Sequence, residues 1–483
     1  MKISKYTTCG TMILVVCCAL TIAGCKSFIE VDPPLTSSNA SIIFNTDATA
    51  AAVLTGVYSN LVGEESGTTG VGAVNLAPSL SSDEIVPIDN AQLEFRNYYR
   101  NNIDPALLGD LPTIWGSFYG KIFTVNSAIE GLNKAEKLTL SVKQQLLGEA
   151  YFMRAFLYFY LVNLFGDVPL VVTTDYKVNA AMPRTKIDLV YNQMKEDLLK
   201  AQSMLSEDYL DGTLLKPTSE RVRPNKNVAS ALLARVYLYI SDWQNAETQA
   251  SQIITNTSTF KIEALARVFL KESKESIWAL QPTGSGVFAN TGFGRRYVLP
   301  SSGPSNEFFL YLNDDLVKSF DNLDLRGADW IARVTALGVT YSYANKYKIG
   351  SVQSATLEYP IVFRLAEQYL IRAEARAQQN KLIGINSAQS DIDVIRSRAG
   401  LGGTTATTQV GLLRAILTER RHELFAEWGH RWLDLRRTGT IDVVMTPATA
   451  GKGGTWSSDD ALYPIPVREL QNNPKLVQNK GYK

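Results

Sequence analysis

The chain has 483 residues, with 48 Lys plus Arg against 47 Asp plus Glu and only two histidines, His422 and His430. Near-neutral charge without a basic stripe excludes a phosphate-driven nucleic-acid partner. Scarce histidine argues against His-rich metal sites and Ser/His catalysis.

The chain begins with the short basic stretch Met1-Lys2-Ile3-Ser4-Lys5 and an apolar run from Thr11 to Leu20, then Leu20-Thr21-Ile22-Ala23-Gly24-Cys25. A basic start, an apolar segment too short to span a bilayer and small residues before a cut predict a secretory signal over residues 1–24. The cysteine after Ile22-Ala23-Gly24 resembles a bacterial lipobox, which implies acylation of Cys25 and an anchor in membrane lipid. The other cysteines, Cys9, Cys17 and Cys18, leave with the signal. An exported chain keeping one thiol at its lipid site forms no disulfide and must be stabilised by its core. Residues 25–483 read as one domain, with 25–45 as a tether in which Pro33-Pro34 prevents an early helix.

Helical periodicity starts at Ala48 to Leu61, capped by Asn45-Thr46-Asp47, with Val53, Leu54, Val57, Tyr58 and Leu61 on one face. Residues 63–111 are rich in Gly, Ser, Asn and Pro and read as a long ordered loop, a segment type that usually carries function. Trp115, Phe118, Tyr119, Ile122, Val125 and Ile129 recur at helical spacing. Val142 to Leu164 is apolar nearly all round, which predicts a helix buried on several sides and stopped by Phe165-Gly166-Asp167-Val168-Pro169. A further amphipathic helix is expected over Lys186 to Leu205. Asn227 to Asn256 reads as a helix pair turning at Ser241-Asp242, and Ala234 and Ala246, twelve apart, resemble a tetratricopeptide repeat. Phe363 to Gln379 and Ile385 to Arg398 form a second such pair, with Ala373 and Ala375 facing Ala388. Residues 281–354 lose helical period, with short strands expected around 276–280, 341–348 and 358–363. Helix returns from Leu412 to Leu435. The fold class is therefore mainly α: tetratricopeptide-like helix pairs in an irregular αα superhelix within 46–256 and 360–440, with loop-rich insertions at 63–111 and 281–354 and a few short strands.

Several stretches, in order, resemble the SusD/RagB outer-membrane lipoproteins of Bacteroidota. They are Phe28-Ile29-Glu30-Val31-Asp32-Pro33-Pro34; Trp115 through Asn126; Glu149-Ala150-Tyr151-Phe152-Met153-Arg154-Ala155; Arg364 to Ala375; Ile395 to Leu401; Glu419 to Leu424 with Arg431 to Arg437; and Pro464-Ile465-Pro466 through Tyr482. The resemblance implies a lipid-anchored, surface-exposed outer-membrane protein that captures oligosaccharides, or in some members peptides, and sits as a lid on a SusC-like TonB-dependent transporter. It implies no enzyme activity and no cofactor. A surface glycosidase and a pure repeat scaffold are the rival readings.

His422-Glu423 lacks the second histidine of a zinc-protease helix, since position 426 is Ala. Glu419 to Arg437 reads as ion pairs among packed helices, with Phe425, Trp428 and Trp432 in the core. Asp83, Glu84, Asp314, Asp315, Asp321 and Asp324 could be drafted as a glycosidase pair but read as turn and cap residues. Ligand candidates come from the irregular regions: Tyr98, Tyr99, Arg100 and Asn101 in the first, and Phe293, Arg295, Arg296 and Tyr297 in the second. Aromatic rings stack on the apolar faces of sugars, while Arg and Asn hydrogen-bond the hydroxyls.

Overall fold

The computed structural model describes residues 43–65, 70–108, 114–350 and 355–482. The signal, Cys25 and most of the tether lie outside them. Helices α1 (Asp47–Glu65), α2 (Gly70–Ser81), α3 (Leu93–Tyr99), α4 (Ile114–Lys134) and α5 (Leu140–Phe165) build the first half of the core. Thr46 caps α1 by accepting from the Thr49 amide at 3.2 Å.

The centre of the fold is α5, in which every residue from Phe152 to Phe165 is buried. It packs against α4 on one side and α6 (Ile187–Met204) on another, as an all-round apolar helix must. Gly166, at φ +74°, ends it. Its buried polar side chains are matched: Arg154 grips Asp197 at 2.7 Å and donates to Asn126 at 2.9 Å, and Glu149 accepts from Tyr58 at 2.9 Å. The aromatic rings of Phe152 and Phe156 meet the edge of Trp278 at 5.0 and 5.3 Å.

Helices α7 (Lys226–Tyr239) and α8 (Trp243–Thr255) form the expected pair, and α8 stacks on α9 (Leu365–Gln378), which packs on α10 (Ala388–Arg398) and α11 (Gln409–Leu424). Ala373 meets Ala388 in a small cluster with Ile392, Leu412 and Ile416, whereas Ala375 faces the main core. The fold is mainly α and tetratricopeptide-like, as expected. Short strands interrupt it: β1 (Ile85–Pro87), β2 (Ser276–Ala279), β3 (Leu310–Leu312), β4 (Ile331–Ala336), β5 (Val339–Ala344) and β6 (Ile361–Arg364). They pair antiparallel as β1–β3, β2–β6 and β4–β5.

Two expectations are corrected. Residues 63–111 are not one long loop, because Gly70–Ser81 is a helix whose twelve residues are all buried. A segment buried on every side shows no amphipathic period, and its Gly, Ser and Pro mimic a loop. Nor does one helix run from Leu412 to Leu435. It breaks between α11 and α12 (His430–Arg437), where Ala426, Trp428 and Gly429 take positive φ. The break lets Phe425 and Trp428 enter the core beside Trp432.

That break sits over a buried ion network that accords with the expected pairing of Glu419 to Arg437. Arg364 bonds Glu275 at 3.1 Å, Glu427 at 2.9 Å and Glu423. Arg326 bonds Asp324, Glu419 and Glu423 at 2.7, 2.6 and 2.9 Å. Arg398 reaches Glu423 at 2.5 Å and Lys346 reaches Glu427 at 2.5 Å. Burial alone would raise the Glu423 carboxyl, but Arg398, Arg364 and Arg326 hold it well below the usual range.

Candidate functional site

The β1–β3 ladder joins the two irregular regions, pairing Ile85 with Leu312, Val86 with Tyr311 and Pro87 with Leu310. Strand alternation buries Leu310 and Leu312 and turns Tyr311 toward solvent, half-buried. Phe309, just before β3, stacks on Phe95 of α3 with centroids 4.6 Å apart, which fixes α3 beside the ladder. The β4–β5 hairpin, turning at Leu337 and Gly338 with positive φ at both, lays Tyr341 edge-on to Tyr311 at 5.3 Å.

Tyr99 at the end of α3 completes the group. Burial pushes its hydroxyl up, with Arg100 opposing and Asp89 adding to the rise. The Tyr311 hydroxyl is pushed up to about 12 by burial, then by Tyr99, Asp89, Tyr341 and Asp314. Tyr311 and Tyr341 are thus an edge-to-face pair of half-buried rings, with the half-buried Tyr99 near enough to Tyr311 to raise its hydroxyl. Phenol rings of this kind offer apolar faces with hydroxyls at their edges, suited to flat, hydroxyl-bearing ligands.

A turn from the far end of the sequence holds Tyr99 in place. The Lys452 ammonium lies 4.9 Å from the Tyr99 ring centroid. It donates to the Leu80 and Ser81 carbonyls at 3.0 Å and to the Ser82 carbonyl, satisfying the C-terminus of α2. Burial pushes Lys452 down to about 7, with the Asp83 charge opposing. Asn101, at φ +50°, donates to Thr449 at 2.8 Å and to the Ser81 carbonyl at 3.2 Å. Gly454 passes so close to Arg100 that a Cβ there would sit 2.1 Å from its carbonyl oxygen. Gly454→Ala is therefore expected to push the turn off the Tyr99 loop and cost about 1–3 kcal/mol, read from the urea midpoint.

The eight sequence candidates divide. Tyr99 and Arg100 stand at the surface, half-buried and exposed. Tyr98 turns inward, edge-on to Tyr463 at 5.3 Å. Asn101 is buried in the clamp just described. Phe293 is buried against Trp428 at 6.0 Å, and the buried Tyr297 donates to Asn75 at 2.5 Å. Asn101, Phe293 and Tyr297 are thus buried, while Tyr98 is half-buried and lines a small pocket with Phe95 and Tyr463. Arg295 lies half-buried over the Phe288 ring at 4.6 Å, and Arg296 is half-buried beside it. Sequence reasoning missed Tyr311 and Tyr341. Their signal was the period of two in Leu310-Tyr311-Leu312 and Tyr341-Ser342-Tyr343.

The drafted carboxylates serve structure. Asp83 pairs with Arg431 at 2.7 Å and Arg421 at 2.8 Å. Asp324 caps a helical turn and pairs with Arg326, and Asp321 accepts from the Leu323 amide. Asp314 and Asp315 sit at the start of a short helix. His422 stacks on Phe320 at 4.3 Å and bonds Ser319 at 2.9 Å, while burial and Arg326 push it down to about 4. Among the described residues no cluster of three or more His, Cys, Asp or Glu could hold a metal ion, and no helix is long and apolar enough to cross a membrane.

Burial, then the Asp83 charge, pushes the Glu84 carboxyl up from 4.5 to about 7. The folded state then holds a proton that the unfolded chain releases, so stability falls as pH rises through that window. Glu84→Gln removes this slope. The variant's urea midpoint is expected to gain on the wild type's as pH rises across the window.

Two family models match the chain: the SusD family over residues 333–482, and a family described as starch-binding and associating with the outer membrane over residues 28–238. A SusD-like protein of Formosa agariphila is 26% identical over 522 residues, covering 96% of this chain and 98% of that protein. The starch-binding protein SusD of Bacteroides thetaiotaomicron is 36% identical over 126 residues, 25% of this chain and 21% of that protein. Surface glycan-binding protein A from Bacteroides uniformis shares the fold with a TM-score of 0.75 at 20% identity, covering 90% of this chain and 99% of that one. Fold, family models and relatives agree: the chain belongs to the SusD/RagB family.

Proposed function

We propose that this protein binds a neutral oligosaccharide on the Tyr99, Tyr311 and Tyr341 face and passes it unaltered to a SusC-like TonB-dependent transporter. It acts from the cell surface, held in the outer membrane by lipid on Cys25. The observation that carries this reading is the half-buried Tyr311–Tyr341 ring pair, with half-buried Tyr99 and exposed Arg100 of the first irregular region nearby. Ring faces with flanking hydrogen-bond donors are the chemistry that holds a pyranose. The starch-binding and glycan-binding relatives support the same ligand class.

The test has two parts. The lipidated protein is pulled from outer membranes in mild detergent, and its partners are identified by mass spectrometry. A large TonB-dependent barrel in near-equal amount supports delivery; recovery of the protein alone, where other complexes survive, contradicts it. A glycan array then names the ligand. Cleavage of any bound glycan would replace this reading with the glycosidase.

A further inference from the structure

Lys452 ends helix α13 (Ile441–Gly451), and its side chain is 6% exposed. Three acceptors meet its ammonium, the carbonyls of Leu80, Ser81 and Ser82, and the Tyr99 ring centroid lies 4.9 Å away. An ammonium has three N–H donors, so the charged form satisfies all three carbonyls. A neutral amine has two donors and a lone pair. It would turn that lone pair on one carbonyl and offer the ring no cation. The two protonation states therefore cannot hold the same place beside Tyr99.

Little in the surroundings secures the charge. Asp83 supplies the opposing charge, and it is already shared by Arg431 at 2.7 Å and Arg421 at 2.8 Å. On α3 the lysine meets Tyr99, whose hydroxyl burial keeps neutral, and the neighbouring Arg100 is exposed. On α13 itself Asp442 is engaged by the Trp456 indole at 2.8 Å. Burial therefore prevails and pushes Lys452 down from 10.5 to about 7. Glu84, next to Asp83, titrates in the same range.

We infer that charged Lys452 is the positioning residue of Tyr99, and that capture at the tyrosine face weakens as this lysine loses its proton. The second half rests on the glycan reading above. Between about 7 and 10.5 the unfolded chain holds a proton that folded Lys452 has released, so this group adds stability as pH rises. Weaker capture in that window would thus run opposite to this group's effect on the fold.

The test follows Lys452 by NMR of 13Cε-labelled lysine and Tyr99 by 13C-labelled tyrosine rings from pH 5.5 to 9.5. Lys452→Arg and Tyr99→Phe assign the two signals. Both are expected to move with one midpoint near 7, a result that needs only the wild-type chain. Calorimetry then uses maltoheptaose, or the tightest neutral hit of the glycan array where that differs. Affinity is expected to fall about fivefold from pH 6 to pH 8.5, the worth of one cation–π contact. Lys452→Arg stays charged and is expected to remove the fall, while Glu84→Gln keeps it. A Tyr99 signal that ignores the Lys452 titration overturns the inference, as does an equal fall in Lys452→Arg. Flat wild-type affinity overturns it where Tyr99→Ala weakens binding. Where Tyr99 follows Lys452 but Tyr99→Ala leaves binding unchanged, the positioning stands and the glycan reading of Tyr99 fails.

Discussion

Arg364→Met is expected to lower the unfolding free energy by about 3–5 kcal/mol. The substitution removes the cation that Glu275, Glu423 and Glu427 share. All three carboxylates are buried, so none can turn to water for compensation. Arg398 still reaches Glu275 and Glu423, and Lys346 still reaches Glu427, which keeps the loss below that of a fully stranded cluster. Lys226→Ala is the control, since its pair with Glu207 at 2.7 Å is exposed and is worth about 0–1 kcal/mol. Urea midpoints compare the two variants. A shift for Arg364→Met no larger than the control's would mean that the network does not hold the α9–α11 region together.

Tyr99→Ala and Tyr311→Ala are each expected to weaken oligosaccharide binding about thirtyfold, the effect of truncating an aromatic anchor worth about 2 kcal/mol. Both side chains are half-buried, so the substitutions cost far less in the fold than the loss of a core ring. The Phe variants separate the contributions. Tyr99→Phe keeps the stacking surface and removes only the hydroxyl, so it should retain most of the affinity. Calorimetric titration with the glycan from the array reads all four variants. Unchanged affinity in both Ala variants would move the ligand away from this face.

How much of this was legible in sequence depends on how many sides of an element are buried. Helix α5 could be read because a run of Phe, Tyr and Leu that long has no solvated face to lose. Helix α2 could not, because in a fully buried helix whose Val71, Val74, Leu76 and Leu80 are interspersed with Gly, Ala, Ser, Asn and one Pro no amphipathic period stands out. The pairing of the charges after Glu419 was foreseeable as a class. Their partners Glu275, Arg326 and Lys346 were not, since they arrive from regions without periodicity. At the candidate site, Tyr98 and Tyr99 are alike in sequence and both half-buried, and only the turn of α3 sets one against Tyr463 and the other against Lys452. The clamp from Thr449 to Gly454 lies some three hundred and fifty residues away, beyond any local signal.

The most direct measurement is a crystal structure of the protein with an oligosaccharide identified on the array. Sugar rings against Tyr99, Tyr311 and Tyr341, with the glycosidic bonds intact, are the expected result. A glycan bound only elsewhere on the molecule, or one found cleaved, would contradict capture on the tyrosine face.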